Sequence, residues 1–418
     1  MAALVVEGGH RLSGVVEVEG NKNAALPLLA ACLLTTEECV LENAPRIRDV
    51  EAMFALLRSL GAEVEGDGTT TVRVRCRELR TTDPDPALVA RLRGSVLLIA
   101  PLLARAGRAG VGEPGGDFPG RRSVATHYRA LSALGAFPEA SGGRGLVAPD
   151  GLRAASLYLD EASVTATETA LLAAATAPGT TEIRHAAAEP HVAELARFLR
   201  RMGADVSGEG TSTLGVTGVE RLSGATHRID GDFVDAGTWA VAAAATGGEV
   251  EVRGARAVDL EPIVAVLSRF GVRSDLDDAR LRVRESTLEG AGRVTTGVWP
   301  GFPSDMVSLV TVLATQARGS TLIHDWLYEL RLFALEQLSG MGADLFLCDP
   351  HRIVVTGPRR LRHRTLDSRD IRSGMALVVA ALCAEGSSRI GPLETIERGY
   401  ARLVERLRSL GAAVEREP

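Results

Sequence analysis

A short phrase recurs six times along the chain, with its glycine at intervals of 68 to 74 residues. Such a period indicates a repeated supersecondary unit. Upstream of most copies lies a glycine-led segment with alternating apolar positions, such as GTTEIRHAA or GGEVEVRGA, which predicts a short strand. The copies are LLRSLGAEV, ALSALGAFP, FLRRMGADV, VLSRFGVRS, QLSGMGADL and RLRSLGAAV, with glycines Gly61, Gly135, Gly203, Gly271, Gly342 and Gly411.

The first copy shows what one repeat contains. Apolar residues from Val50 to Leu60 follow helical spacing, which predicts a helix with one apolar face. Asp49 precedes them and is predicted as the N-cap. Gly61 follows them, at the place where a left-handed residue ends a helix. The next segment, EVEGDGTTTVRVR, predicts two strands around a turn.

Each repeat also contains a second stretch that is apolar nearly all round, which predicts a buried helix. Six repeats of this kind indicate an α/β protein with two similar domains of three repeats each. We place the first domain at residues 21–226 and form the second from residues 1–20 and 227–418. Paired domains commonly bind ligands between them, so we expect the active site in that cleft. The stretches are ALPLLAACLL, SVLLIAPLLARA, ETALLAAATA, TWAVAAAATG, MVSLVTVLATQA and GMALVVAALCA.

Composition excludes several classes of function. The formal net charge is −6 and aromatic residues are 4% of the 418, which argues against a nucleic-acid partner. No apolar run reaches the ~18 residues of a membrane span, and the first residues do not resemble a signal peptide. The five cysteines are scattered without metal spacing. We therefore expect a cytoplasmic protein with a large core. We also expect neither a metal nor an organic cofactor, and a monomer or a weak homo-oligomer.

Lys22 is the only lysine among the 47 basic residues of the chain, and Asn21 and Asn23 flank it. An ammonium is a compact charge, whereas a guanidinium is a wide planar fork. The segment GNKN stands before a predicted buried helix, whose free N–H groups and adjacent ammonium suit a phosphate or carboxylate. The alternative is an ordinary asparagine cap with an exposed lysine.

Two carboxylates are candidates for proton transfer. Asp117 lies in the glycine- and proline-rich loop PGGDFPGRRS, where it is either a proton donor or a solvated turn residue. Asp305 follows Ser304 in GFPSDM, directly before a predicted buried helix. It either accepts a hydroxyl proton from a substrate or belongs to a helix cap.

Several arginines stand beside apolar helices, where a buried guanidinium must find an anion. The anion is either a structural carboxylate or a substrate that has several negative groups. These arginines are Arg93, Arg331, Arg372 and Arg398, and Arg122 of the glycine- and proline-rich loop is a further candidate cation.

Five segments together resemble one enzyme family, in order from Gly8 to Glu415. GNKNAALPLLAACLL is similar to a SGAKNAALP segment, PGGDFPGRR to a PGGC(or D)xxGxR loop, and FPSDM to FPTDM. RDIRSGMALVVAAL is similar to TDLRAxxxLVLA, and IERGYARLVERLRSLGA to HIDRGYERIxxKLRxLGA. The family is the UDP-N-acetylglucosamine enolpyruvyl transferases of peptidoglycan (cell-wall) precursor synthesis. The resemblance implies a fold of two domains, each with three βαβαββ units around buried helices, an inside-out α/β barrel.

The resemblance implies transfer of the enolpyruvyl group of phosphoenolpyruvate to a hydroxyl of a uridine-nucleotide acceptor, with release of phosphate by addition and elimination. It implies catalytic roles for Lys22, Asp117 and Asp305. Phosphoenolpyruvate would be bound by Lys22, Arg122, Arg372 and Arg398. The acceptor-binding positions that it implies are Asn23, Arg93, Arg122, Ser123, Val124, Ser163, Val164, Asp305, Leu327 and Arg331.

Departures from the family pattern concern the acceptor. The family run Arg-Pro-(Val/Leu)-Asp-(Leu/Met)-His is here Arg122 to His127 with serine, alanine and threonine at its second, fourth and fifth positions. Glu161 stands where some members have a lysine, and a glutamate repels a diphosphate. We therefore keep three alternatives open: UDP-N-acetylglucosamine as acceptor, another acceptor such as uridine monophosphate in nucleoside-antibiotic synthesis, or an inactive paralogue that binds a sugar nucleotide. The sister enzyme enolpyruvylshikimate phosphate synthase is disfavoured, because its characteristic segments are not found.

Overall fold

The computed structural model describes residues 2–110, 112–115, 123–140, 145–328 and 331–418, apart from the side chain of Phe333. The described residues between 20 and 230 form one compact unit, here called the N-terminal unit. Residues 2–19 and the described residues from 231 onward form the C-terminal unit. The chain leaves the N-terminal unit after Asp230 rather than at the predicted residue 226, because the strand Thr226–Arg228 pairs with Cys39–Glu42.

Helices follow the two apolar patterns seen in the sequence. The helices α1, α4, α6, α8, α10 and α12 match the stretches predicted to be buried. They are α1 (Lys22–Ala31), α2 (Arg48–Ser59), α3 (Pro86–Val89), α4 (Ile99–Ala106), α5 (Ala125–Ala133), α6 (Val164–Ala174), α7 (Pro190–Arg201), α8 (Phe233–Ala245), α9 (Ala257–Arg269), α10 (Val307–Gln316), α11 (Gln337–Gly340), α12 (Ile371–Cys383), α13 (Leu393–Ile396) and α14 (Leu403–Ser409).

Strands are short, and many alternate between buried and exposed residues. They are β1 (Ala3–Glu7), β2 (Ser13–Glu17), β3 (Cys39–Glu42), β4 (Glu63–Glu65), β5 (Thr71–Arg75), β6 (Arg108–Gly110), β7 (Phe137–Pro138), β8 (Gly145–Val147), β9 (Ser156–Tyr158), β10 (Gly179–Arg184), β11 (Asp205–Ser207), β12 (Thr213–Gly218), β13 (Thr226–Arg228), β14 (Glu249–Arg253), β15 (Arg273–Asp277), β16 (Arg280–Arg284), β17 (Gly292–Thr295), β18 (Gly319–His324), β19 (Asp344–Asp349), β20 (Arg352–Gly357), β21 (Thr365–Asp367), β22 (Ser387–Gly391) and β23 (Ala413–Glu417).

The described part of the N-terminal unit arranges its strands in the orders β13-β3-β5-β4, β11-β12-β10-β9 and β6-β8-β7. In the first two sheets one parallel pair is followed by antiparallel pairs. Inside the unit, α6 packs against α4 and against the 3₁₀ segment Arg93–Leu98, which also contacts α1. Side chains on the inward-facing strand positions are buried on these helices, as the alternating pattern predicts.

The C-terminal unit repeats this plan with the sheet orders β15-β16-β14-β2, β17-β18-β20-β19 and β21-β22-β1-β23 among its described residues. The start of the chain completes two of these sheets. Strand β1 lies between β22 and β23, and β2 pairs in parallel with β14. The helices α8, α10 and α12 pack on one another in the core of the unit. The prediction of α/β units built around buried helices is confirmed.

Local signals placed several element ends correctly. Gly61 has a φ of +108° directly after the first amphipathic helix, as expected for a left-handed helix end. Strands β4 and β5 pair antiparallel, as the segment EVEGDGTTTVRVR predicts. Asp49 is not the N-cap of α2, since Ile47 occupies that position without a side-chain bond. The carboxylate of Asp49 is committed to a distant partner instead.

Candidate active site

Lys22 lies at the start of α1 in the N-terminal unit. Asn21 is the N-cap, and its Oδ1 accepts hydrogen bonds from the backbone N–H groups of Asn23 (2.8 Å) and Ala24 (3.2 Å). The asparagine cap is therefore real, but the lysine is buried rather than exposed. Its Nζ lies 2.7 Å from Oδ2 of Asp49, which stands in the first turn of α2. The partner of this ammonium comes from the next helix.

The Lys22–Asp49 pair explains why a lysine stands at this position. Only 11% of the Lys22 side chain and 4% of the Asp49 side chain are exposed. A buried charge pair is stable only with good geometry, and a compact ammonium needs less room than a guanidinium. Asn23, next to Lys22, is half-buried.

Arg93 links the 3₁₀ segment to the loop before α5. Its Nη2 donates to the carbonyl oxygen of Ser123 at 3.1 Å, and Ser123 Oγ accepts from the N–H of Ala125. Val124 follows as the last residue before α5. The structure therefore brings Arg93 into contact with Ser123, and both residues are among those predicted to bind the acceptor.

The segment after Val124 reaches the start of α6. His127 Nε2 lies 2.8 Å from Thr165 Oγ1, and Thr126 Oγ1 lies 3.3 Å from Glu161 Oε1. Ser163 caps α6, because its Oγ accepts from Ala166 N. Burial, reinforced by the charge of Arg93, lowers the pKa of His127 to about 4, so its ring is neutral at pH 7.

The glycine- and proline-rich loop that precedes Val124 in the sequence contains Asp117 and Arg122. Both lie outside the residues that the structure describes, so their predicted roles stay predictions.

Ser163 and Val164 lie at the N-terminal end of α6. The free N–H groups of this end suit an anionic ligand.

In the C-terminal unit, Asp305 lies between two arginines. Its Oδ1 accepts from Arg331 Nη1 and its Oδ2 accepts from Arg372 Nη2, both at 3.2 Å. Its side chain is 27% exposed, whereas those of Arg331 and Arg372 are 8% and 9% exposed. Two guanidinium groups thus hold a partly exposed carboxylate. The prediction that these three residues share a site is consistent with this geometry.

Both arginines are held in the charged state. Burial alone would lower the pKa of Arg372, but Tyr400 and Asp305 outweigh it and raise the pKa above its ordinary value. Burial has the same effect on Arg331, and Asp305 and Tyr328 likewise raise its pKa. Each guanidinium is therefore a permanent cation that is shielded from water.

The helix-cap interpretation of Ser304 and Asp305 is wrong. The 3₁₀ turn Ser304–Met306 begins after Pro303 without a side-chain cap bond. Ser304 Oγ donates to Asp325 Oδ2 at 2.7 Å and accepts from Arg331 Nη1 at 2.9 Å. The side chains of Ser304 and Asp305 both form hydrogen bonds with residues that are distant in the sequence. These bonds satisfy the buried polar groups better than bonds to a short helix end would.

Two residues of this cluster were missed by sequence reasoning. Asp325 directly follows strand β18, and its Oδ1 accepts a hydrogen bond from the backbone N–H of Leu327 at 3.3 Å. Tyr400 OH accepts from Arg372 Nη1 at 3.2 Å and lies 3.0 Å from Thr238 Oγ1. A polar residue at the end of an apolar strand, and a tyrosine in the IERGY segment, were the available signals.

Arg398 lies two residues before Tyr400, after the short helix α13. It is partly buried. The neighbouring Glu397 pairs with Arg416. Arg398 thus lies two positions along the chain from Tyr400, whose hydroxyl accepts from Arg372.

Among the described residues, no group of three or more His, Cys, Asp or Glu side chains is arranged to hold a metal ion. None of the helices in the described ranges is both long enough and apolar enough to cross a membrane.

A family model described as EPSP synthase (3-phosphoshikimate 1-carboxyvinyltransferase) matches residues 6–407. The chain belongs to this family. Membership makes it an enolpyruvyl (1-carboxyvinyl) transferase, as the sequence motifs predict.

Similar curated proteins match nearly the whole chain. A UDP-N-acetylglucosamine 1-carboxyvinyltransferase of Bradyrhizobium diazoefficiens is 44% identical, over 99% of this chain and 98% of the relative. The enzyme of the same name from Treponema denticola is 40% identical, over 99% of both chains. Both names agree with the family that the motifs resemble.

Solved structures of two enzymes share the fold. The enolpyruvyl transferase NikO from Streptomyces tendae has a TM-score of 0.88 and 25% identity, and the match covers 100% of this chain and 99% of NikO. An EPSP synthase from Acinetobacter baumannii has a TM-score of 0.75 at 19% identity, with full coverage of both chains. The second likeness concerns the fold alone.

Proposed function

We propose that this enolpyruvyl transferase joins phosphoenolpyruvate to a hydroxyl of UDP-N-acetylglucosamine and releases phosphate. The observation that carries the proposal is the 44% identity, over 99% of the chain, to a UDP-N-acetylglucosamine 1-carboxyvinyltransferase. We further propose that the reaction takes place in the cytoplasm and that the chain is a monomer or a weak homo-oligomer.

The reaction has two stages whose atoms balance. In the addition, the acceptor hydroxyl oxygen bonds to C2 of phosphoenolpyruvate, the hydroxyl proton leaves to a base, and C3 takes up a proton. In the elimination, the bond from C2 to the phosphate oxygen breaks and C3 loses a proton. The products are the enolpyruvyl ether and inorganic phosphate. Such chemistry requires a base, an acid and fixed cations around the phosphate and carboxylate.

Asp305 is the base in this proposal. Its carboxylate is accessible, and two guanidinium groups fix its orientation from the buried side. A base must lie within hydrogen-bond reach of the proton that it removes, which a partly exposed carboxylate satisfies better than a buried one. Asp117 is assigned as the proton donor to C3 on its motif alone.

Lys22, Arg122, Arg372 and Arg398 are proposed to bind phosphoenolpyruvate. Arg372 is charged, buried and oriented by Tyr400. Lys22 is oriented by Asp49. Fixed cations that need no reorganisation stabilise the charges of the tetrahedral intermediate. The acceptor is assigned to Asn23, Arg93, Arg122, Ser123, Val124, Ser163, Val164, Asp305, Leu327 and Arg331.

A second candidate acceptor is uridine monophosphate. The observation in its favour is the contact between Thr126 and Glu161 (3.3 Å) close to the N-terminus of α6. Family members have leucine or methionine at the first position and in some cases lysine at the second. A carboxylate at this place repels a diphosphate and favours an acceptor that carries less negative charge there.

The test is phosphate release from phosphoenolpyruvate with each acceptor in turn, with Lys22→Ala as the blank. Turnover with UDP-N-acetylglucosamine supports the proposal, and turnover with uridine monophosphate alone replaces it with the second candidate. The absence of phosphate release with either acceptor supports the third alternative, an inactive paralogue that binds a sugar nucleotide. Glu161→Lys sharpens the comparison: it should lower the KM for the sugar nucleotide, while Glu182→Lys, an exposed change on β10, should not.

A further inference from the structure

Asp325 is a carboxylate without exposed surface, directly after strand β18 in the C-terminal unit. Its Oδ1 accepts from Thr296 Oγ1 at 2.8 Å and from Leu327 N at 3.3 Å. Its Oδ2 accepts from Ser304 Oγ at 2.7 Å. A buried carboxylate is costly unless donors surround it. Three hydrogen-bond donors contact the Asp325 carboxylate, so its orientation is fixed.

The contacts of Asp325 give the next hydrogen bonds a direction. Ser304 has one hydroxyl proton, and a carboxylate accepts it. The lone pairs of Ser304 Oγ are therefore left for Arg331, whose Nη1 lies at 2.9 Å. The same Nη1 reaches Asp305 Oδ1 at 3.2 Å. Donors and acceptors thus alternate without conflict from Asp325 to Asp305.

We propose that Asp325 is a positioning residue for the acceptor side of the reaction, an inference that rests on the proposed function. Through Ser304 it holds the Arg331 guanidinium against the base Asp305. Through its other oxygen it holds the backbone N–H of Leu327, a second residue assigned to the acceptor. One buried carboxylate thereby sets the geometry of two neighbouring segments.

The substitution Asp325→Asn tests this role because it keeps the shape of the side chain but replaces one accepting oxygen with a donating NH₂ group. An amide nitrogen facing Ser304 donates to its Oγ, so the hydroxyl proton turns away and meets the Arg331 donor. Two donors that face each other destabilise this arrangement by an amount that corresponds to a change of roughly tenfold or more in rate. We expect kcat for phosphate release to fall about tenfold or more, with the KM for phosphoenolpyruvate changed less than about twofold.

Asp259→Asn is the matched control. Asp259 is also buried in the C-terminal unit and accepts two hydrogen bonds from Arg256, but it has no described contact with this cluster. We expect it to change thermal stability without changing kcat. An equal fall of kcat in both variants would overturn the proposal, because it would show only a general loss of native structure.

A double-mutant cycle with Ser304→Ala separates positioning from packing. If Asp325 acts through Ser304, each single change lowers kcat and the second change adds less than about twofold to the first. Additive effects would overturn the proposal. Ser308→Ala is the control for removal of a buried hydroxyl, since Ser308 Oγ is buried and has no hydrogen-bond partner.

The wild-type rate tests the proposed function separately, because it involves no variant. A crystal structure of the Asp325→Asn variant without substrate shows directly whether the Arg331 guanidinium keeps its position. We expect the Arg331 guanidinium to leave its 2.9 Å contact with Ser304. An unchanged contact would overturn the inference even where the enzyme turns over its acceptor, and a displaced arginine would support it even where no acceptor is turned over.

Discussion

The charged groups proposed for the reaction are held in different ways in the two units. In the N-terminal unit, Lys22 and Asp49 are both buried and lie 2.7 Å apart. In the C-terminal unit, Asp305 is partly exposed, and Arg331 and Arg372 each lie 3.2 Å from it. A short buried pair is costly to break and is part of the fold. The longer contacts of an accessible carboxylate leave it available to a substrate. The first arrangement is part of the fold, and in the proposed reaction the second serves mainly chemistry.

The largest effect is expected for Asp305→Asn, which removes the proposed base. We expect kcat for phosphate release to fall by about 10²- to 10⁴-fold. The free energy of unfolding should fall less than in Asp49→Asn, because Asp305 is partly exposed and its two arginines keep Ser304 and Tyr400 as hydrogen-bond partners. Steady-state kinetics and denaturant unfolding check both statements. Asp344→Asn, which removes an exposed carboxylate paired with Arg359, is the control, and equal losses of stability at Asp305 and Asp49 would break the comparison.

Lys22→Arg is expected to reduce phosphate release by about 10²- to 10³-fold. The charge is kept, but the planar guanidinium does not fit the buried place of the ammonium beside Asp49. The reverse exchange Arg73→Lys, at an exposed pair with Glu38, should leave the rate unchanged. A fully active Lys22→Arg variant would show that only the charge matters.

Asp49→Asn should lower the free energy of unfolding by about 3–5 kcal/mol, because it removes a buried counter-charge of the Lys22 ammonium. Denaturant unfolding measures this loss. Asp67→Asn removes a carboxylate that pairs with Arg58 at the surface and should cost less than about 1 kcal/mol. A loss at Asp49 no larger than at Asp67 would contradict the structural role of the pair.

The smallest effect concerns pH and His127 in the N-terminal unit. Burial, with the nearby charge of Arg93, lowers its pKa from 6.5 to about 4. The unfolded chain therefore binds the proton first, so stability is lost as pH falls from about 6.5 to about 4, by roughly 3 kcal/mol. We expect His127→Gln to flatten that part of the stability profile. An unchanged slope would show that other groups cause it.

Local patterns predicted much of the fold. The repeated glycine phrase placed helix ends, and Gly61 has the positive φ expected there. Stretches that are apolar nearly all round became the buried helices α8, α10 and α12. These signals depend on residues within a few positions of one another, which set helix and strand periodicity.

The site was predicted less completely, because its contacts join distant positions. The motif match found Lys22, Asp305, Arg331 and Arg372, but it did not indicate that Asp49 faces Lys22. Ser304 was interpreted as a helix cap because a cap is the commonest local use of serine before a helix. Its partner Asp325 stands 21 positions away in the chain.

The repeat, the α/β class and the family follow from the amino-acid sequence alone, and so do the residues proposed for the reaction. Which charges meet is seen only in the folded chain: Asp49 with Lys22, and Asp305 with Arg372, which are 67 positions apart. The physical reason is that periodicity and turn preferences are short-range properties of the chain. The pairing of buried charges depends on where the folded backbone brings each side chain, and on the cost of leaving any of them without a partner.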